Sequence, residues 1–315
     1  MREKSKIKVI FHIGLEKTGT TSFQSFCTDN RVLLRRHSVL YPAHNFGFFK
    51  NSHEPLAACY FPGNAASQLM MRSSHRDKEV VLRSLNREIE RASADTILIS
   101  AEHFSSRFPA SHIRQLAADF SAYDCRIAVV VRDHVSRALS AYSTAIASGR
   151  HLTLQEFVDE ICHPENIYMR YKETIAQWET VFKRENMMVF AYSENENIIE
   201  RLAQGLISLD IRSSQIGGYA QKKSLGASAI EARRLINREL SERRPAGASK
   251  LHFGSILAHM RHAIKKRTIA NSSDRLRFSE DQLQRVNAIA EIDRRWLEDV
   301  YRIHLGDRRS NGDVR

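Results

Sequence analysis

The sequence predicts an α/β fold, a three-layer sandwich around a central parallel sheet followed by a helical C-terminal extension. Three observations predict it. Short apolar runs rich in β-branched residues alternate with helix-like stretches over the first two hundred residues, which is the pattern of a layered sheet with right-handed crossovers. A Gly-containing loop joins the first run to the first helix. The run RIAVVV is apolar without alternation, as suits a parallel strand buried on both faces.

In order, residues 7–13 (IKVIFHI) form the first strand, residues 14–21 (GLEKTGTT) the loop, and residues 20–35 the first helix. Residues 38–42 make a short second strand, and residues 43–74 read as a long loop. Val80, Val81, Leu85 and Ile89 stand at helical spacing within residues 77–92. Thr96–Ser100 (TILIS) is the third strand, and a helix opened by Pro109 and Ser111 carries residues 113–120. Residues 126–131 are the fourth strand. A helix over 134–148 then stops at Gly149, and one over 168–183 sets Trp178 and Phe182 four apart. Met187–Ala191 (MMVFA) is the fifth strand. After Leu209 the pattern turns to charged helices, over residues 227–243 and 280–301. The expected organisation is a single domain over residues 1–315, with an α/β core (1–212) and a helical region (213–315) that wraps or lids it.

Composition narrows the function classes. Of 315 residues, 42% are hydrophobic and 27% charged, with 13 Gly and 6 Pro, so collagen-like and low-complexity chains are excluded. No apolar run approaches the roughly 20 residues of a membrane-spanning helix. The basic N-terminus meets His12 and Glu16 before any apolar stretch adequate for a signal peptide, so a cytoplasmic protein is expected. Cys27, Cys59, Cys125 and Cys162 lie too far apart for a metal-ligand cluster and are expected as free thiols. Forty-eight Lys and Arg against 36 Asp and Glu leave a net charge of +12, which favours a polyanionic partner. Nucleic acid is disfavoured, because no helix-turn-helix, zinc-finger or RNP-type pattern is present. Phosphorylated cofactors, acidic glycans and peripheral contact with a membrane surface remain.

A loop running from a buried strand into a helix offers N–H groups at the positive end of the helix dipole, a ready site for phosphate. Gly14 and Gly19 have the spacing of the nucleotide-triphosphatase loop GxxxxGK[ST], but Thr20 stands in the Lys position, and Lys17 places its cation two residues before Gly19. No Asp closes a strand to hold Mg²⁺, and Glu102 is the nearest candidate. A P-loop-like site that binds phosphate without a metal is expected. Arg132, closing the fourth strand, offers a fork for two phosphate oxygens, and Ser140 adds a hydroxyl two helical turns later.

These residues resemble a family, the sulfotransferases that use 3′-phosphoadenosine 5′-phosphosulfate. Lys17, Thr18, Gly19, Thr20 and Thr21 match its 5′-phosphosulfate loop, K-[ST]-G-T-T, and Arg132 and Ser140 in VVVRDHVSRALSAY match the strand-end Arg and the Ser eight residues on of its 3′-phosphate site. The resemblance implies transfer of a sulfuryl group to an acceptor hydroxyl or amine, with Lys17 stabilising the leaving phosphate. The N–H groups of Thr18 to Thr21 and the hydroxyls of Thr20 and Thr21 would grip the 5′-phosphate. Tyr192, ending the fifth strand, is similar to the tyrosine that contacts adenine in relatives, and Lys222, Lys223 and Ser224 stand where a late basic loop reaches the 3′-phosphate. Glu16 replaces a common Pro and Ser22 an adenine-stacking Trp, which points to the bacterial and glycan-type branches and to a carbohydrate or glycolipid acceptor. The base is left open among Glu102, His103 and, more remotely, His53. Arg233, Arg234, Arg243 and Arg244 either steer an anionic acceptor or form a solvated face. Two other readings stand beside this one: a nucleotide kinase or ATPase with a degenerate loop, and a nucleotide- or polyanion-binding module without chemistry.

Overall fold

The structure is a computed structural model that describes residues 6–43, 51–68, 76–193, 195–211, 219, 226–242 and 274–305. Five strands form one parallel sheet: β1 (Lys8–His12), β2 (Val39–Leu40), β3 (Thr96–Ser100), β4 (Asp124–Val131) and β5 (Met187–Ala191). Their order is β2-β3-β1-β4-β5, with Ile10 paired to Leu98 on one side and to Arg126 on the other. The helices are α1 (Thr20–Asp29), α2 (Arg31–Arg36), α3 (Glu54–Ala58), α4 (Gly63–Gln68), α5 (Lys78–Ala92), α6 (His103–Arg107), α7 (Ala110–Asp119), α8 (His134–Ala147), α9 (Leu154–Cys162), α10 (Tyr171–Phe182), α11 (Ile198–Ile207), α12 (Ala227–Glu242) and α13 (Glu280–Tyr301).

Alternation along the strands divides the core between the two faces of the sheet. Val9, Phe11, Ile97, Ile99, Ile127 and Val129 face a layer built from α3, α5, α7 and α10. Ile10, Leu98, Ala128 and Val130 face the other layer, in which Phe23, Phe26 and Leu34 from α1 and α2 meet Ile199 and Leu202 from α11. Both faces are therefore covered, which is why the central strands read as unbroken apolar runs. Aromatic contacts lock the first layer: Phe11 meets Phe120 edge-on at 4.9 Å, and Phe104 meets Phe108 at 5.0 Å.

The expected strands are all present. The helices differ in detail. The stretch expected as one helix over 20–35 breaks at Asn30, whose side-chain amide and main-chain N–H both donate to the Phe26 carbonyl and end α1. Residues 43–74, expected as loop, contain α3 and α4, and α3 is buried along its whole length. The helices α6, α9 and α11 were not expected. The sequence marks of two of them are the capping box Thr153/Glu156 before α9 and the Asn197 cap before α11.

The chain divides into two compact units. The first comprises Met1–Arg132, Tyr171–Gln221 and Arg294–Arg315, and carries the sheet; the second comprises Asp133–Arg170 and Lys222–Asp293. Within the second, Ala138, Tyr142 and Ile146 of α8 pack with Phe157, Ile161, Ile230 and Val286. Arg234 pairs with Glu231 and donates to the His151 carbonyl, while Arg233 donates to Ala147 at the C-terminal end of α8. These two arginines bind the second unit together and are not a solvated face; Arg243 and Arg244 lie outside the described residues. No helix among the described residues is long and apolar enough to cross a membrane.

Candidate active site

The carboxyl end of β1 is a topological switch point. The chain passes from β1 to β2 and β3 on one side, then crosses to β4 and β5 on the other, and open sheets bind ligands where the order reverses in this way. The loop after β1, residues 101–102 after β3, Arg132 after β4 and Tyr192 after β5 all leave the sheet at this end.

Residues 14–19 hold an uncommon backbone. Gly14 (φ 47°), Lys17 (φ 72°) and Gly19 (φ 85°) are all left-handed. Glycine takes such values at little cost, whereas Lys17 takes them at a cost of the order of 1–2 kcal/mol. Side chains brace the loop from within: the buried Thr18 hydroxyl donates to the Leu15 carbonyl at 2.5 Å and lies 3.4 Å from the Thr20 hydroxyl, while Ser105 donates to the Gly14 carbonyl. At Gly19 a Cβ would come within 2.8 Å of Ile198 Cγ2, so the loop is also packed against the start of α11. The first turn of α1 closes through Ser22 and Phe23 N–H on the Gly19 carbonyl. The main-chain N–H groups of Lys17, Thr18, Gly19, Thr20 and Thr21 donate to no acceptor among the described residues. Five consecutive donors at a helix N-terminus beside a lysine form a cradle for an oxyanion.

An acid–base cluster lies against the loop. A Cβ on Gly14 would stand 3.4 Å from Glu102 Cγ, which measures how closely that side chain approaches. Burial, together with the charges of Glu54 and Glu16, pushes the Glu102 carboxyl up to about 7 against the opposing pull of Lys17 and His103. His103 Nδ1 forms an ion pair with Glu54 Oε2, and Glu54 Oε1 accepts the Glu102 N–H at 2.8 Å. Burial pulls the His103 imidazole down, but the Glu54 hydrogen bond and charge outweigh it and hold the ring above its ordinary value. Glu102 and His103, expected at the reaction centre, thus stand together beside the loop. Glu54 was missed, although a carboxylate opening the apolar run PLAACYF was its signal.

His53 has a different part. Its Nδ1 accepts the Ser100 N–H at 3.0 Å and its Nε2 meets the Pro42 carbonyl at 3.3 Å, so both ring nitrogens are engaged by main chain and the buried ring ties the loop after β2 to the end of β3. His12 is buried beside it, bonded through Nδ1 to Ser100 Oγ at 2.8 Å, and burial lowers it to about 4.

Arg132 donates to the Lys17 carbonyl at 3.0 Å, and its guanidinium lies 4.7 Å from the centre of the Tyr192 ring. One contact supports the loop between β1 and α1, and the other shows that Tyr192 gives a ring face to arginine. Asp133 caps α8 by accepting the Ser136 N–H. Ser140 lies on α8 in the second unit, and Lys222, Lys223 and Ser224 fall outside the described residues.

Residues 8–204 match the model of the sulfotransferase domain family. That match covers more than half of the chain. The chain belongs to the sulfotransferase family. The matched segment contains all five strands, the loop, Glu54, Glu102, His103, Arg132 and Tyr192. Among solved structures, a sulfotransferase from Alicyclobacillus acidocaldarius is 16% identical, covers 78% of this chain and 98% of its own, and superposes with a TM-score of 0.43. Mouse sulfotransferase SULT7A1, complexed with PAP, is 12% identical over 93% of this chain and 86% of its own, with a TM-score of 0.41. At those scores the likeness adds nothing to the assignment, which rests on the family match. No curated protein matches the sequence.

Proposed function

We propose that this sulfotransferase moves the sulfuryl group of 3′-phosphoadenosine 5′-phosphosulfate to a hydroxyl of a carbohydrate or glycolipid acceptor. The observation that carries the reading is the row of five N–H groups from Lys17 to Thr21 that donate to no acceptor among the described residues, with Glu102 and His103 against the same loop. The cradle suits the 5′-phosphate of the donor and needs no metal to do so. As the S–O bond to that phosphate breaks, its electron pair passes to the bridging oxygen, and the Lys17 ammonium is placed on this loop to stabilise the charge. The acceptor oxygen forms the new bond to sulfur and gives up its proton to a base, for which the geometry favours His103. Glu102, titrating near neutrality, holds or releases a proton next to it. Arg132 takes the 3′-phosphate, as the resemblance implies. The preference for a glycan acceptor rests on analogy with the bacterial and glycan-type relatives toward which Glu16 and Ser22 point.

Lys17→Ala tests the mechanism. Turnover of the donor against a panel of carbohydrate acceptors should fall by about 10²–10³-fold, as for loss of one electrostatic contact to developing charge. The thermal midpoint should stay unchanged, since Lys17 forms no ion pair among the described residues. Unchanged turnover would remove Lys17 from the reaction.

A further inference from the structure

We infer that Glu54 is the positioning residue of the acid–base centre: it accepts the Nδ1 proton of His103 and thereby leaves Nε2 as the nitrogen that takes the proton of the acceptor. The inference rests on the sulfotransferase reading and deepens it. Three features of the structure support it. Glu54 is anchored twice, by the ion pair from Oε2 to His103 Nδ1 and by the bond from Oε1 to the Glu102 N–H, so its carboxylate spans the two residues expected to work on the acceptor. Its side chain is only 8% exposed, against 23% for His103, so the carboxylate works from inside the protein while the imidazole reaches the surface. Its place in the chain is fixed by its neighbour: His53 N–H donates to the Ser100 carbonyl at 2.8 Å, and Ser100 N–H donates to His53 Nδ1. These two bonds hold the start of α3 in register with the end of β3, and so bring Glu54 level with Glu102 and His103.

The chemistry follows from the two nitrogens of imidazole. In the neutral ring one carries a proton and the other a lone pair, and the partner of the first decides which is which. A carboxylate is an acceptor only, so Glu54 fixes the Nδ1–H form. Nε2 has no hydrogen-bond partner among the described residues and keeps its lone pair for the incoming hydroxyl. When Nε2 takes that proton, the imidazolium faces the Glu54 carboxylate across Nδ1. The other charges around the ring are Arg107 on its own helix, which opposes protonation, and Glu16 on the loop, which favours it; Glu102 is the adjoining residue.

The test reads the tautomer. In ¹⁵N-labelled protein, with the His103 signals assigned by comparison with His103→Gln, two-bond nitrogen–proton correlations should show neutral His103 protonated on Nδ1. In Glu54→Gln the side-chain oxygen can still accept the Glu102 N–H, but the amide now donates to Nδ1, so the neutral ring should invert to the Nε2–H form and its titration should move to lower pH. Donor-product binding, measured on the same samples with adenosine 3′,5′-bisphosphate, should be the same in both proteins. Wild-type His103 protonated on Nε2, or a tautomer and titration unmoved by Glu54→Gln, would overturn the inference; the wild-type spectrum does not depend on Glu54→Gln and decides the matter even if that variant does not fold. Failure of wild type to bind the bisphosphate would instead refute the sulfotransferase reading and leave the tautomer result to be judged separately.

Discussion

Glu102 carries the charge balance of the site. Its carboxyl titrates at about 7 in the folded protein, against 4.5 in the unfolded chain, because burial and the carboxylates of Glu54 and Glu16 disfavour its anion more than Lys17 and His103 favour it. Between those two values the unfolded chain releases a proton that the folded protein keeps, so stability falls as pH rises from about 4.5 to 7 and is level above. Glu102→Gln removes this dependence. Its thermal midpoint should equal that of wild type near pH 4 and exceed it increasingly up to pH 7, by roughly 2–4 °C for each kcal/mol relieved. Parallel midpoints across that range would show that Glu102 ionises as an ordinary surface carboxylate. At this scale the sequence was legible where residues act through the main chain beside them: Lys17 to Thr21 form one short motif, and Arg132 ends its strand. Glu54 and His103 lie 49 positions apart, and only the register of two separate strand ends makes them partners. The same separation hid the role of His53, whose ring nitrogens are taken up by Ser100 and Pro42.

The elements that hold the site are the strand ends and the short helices after them. Strands were legible because parallel strands covered on both faces keep almost no polar residues; β3 and β5 carry the bounds read from TILIS and MMVFA. The short helices α3 and α6 were not legible, because five residues hold too little periodicity to register, and it is burial rather than propensity that folds them. Yet α6 brings Ser105 to the Gly14 carbonyl, and α3 brings Glu54 to His103. The loop between β1 and α1 depends most on Gly19. Gly19→Ala meets two independent obstacles, a left-handed φ and a Cβ at 2.8 Å from Ile198, and should destabilise the protein by roughly 1–3 kcal/mol in urea unfolding while abolishing bisphosphate binding. Ile198→Ala combined with Gly19→Ala relieves only the steric part. A Gly19→Ala protein as stable as wild type would mean that the loop adopts another path.

For the whole molecule, the boundary between units was the least legible feature. Residues 133–170 read as ordinary crossover helices between β4 and β5, but they pack with α12, where Asn237 donates to the Ile146 and Arg150 carbonyls and Arg233 to Ala147. Such pairing joins residues almost a hundred positions apart, and local patterning does not encode it. The net charge of +12 likewise said less than it promised, since Arg31, Arg132, Arg137, Arg233 and Arg234 donate to main-chain carbonyls within their own units. Lys17 and Arg132 bring positive charge to the loop that gives the protein its proposed donor site. Calorimetric titration of the full chain with adenosine 3′,5′-bisphosphate, with ATP as comparator and each with and without Mg²⁺, measures that site directly. Tight binding of the bisphosphate without metal, and weak binding of ATP under both conditions, is the expected result; preference for Mg²⁺-ATP would contradict it and return the loop to the nucleotide kinases.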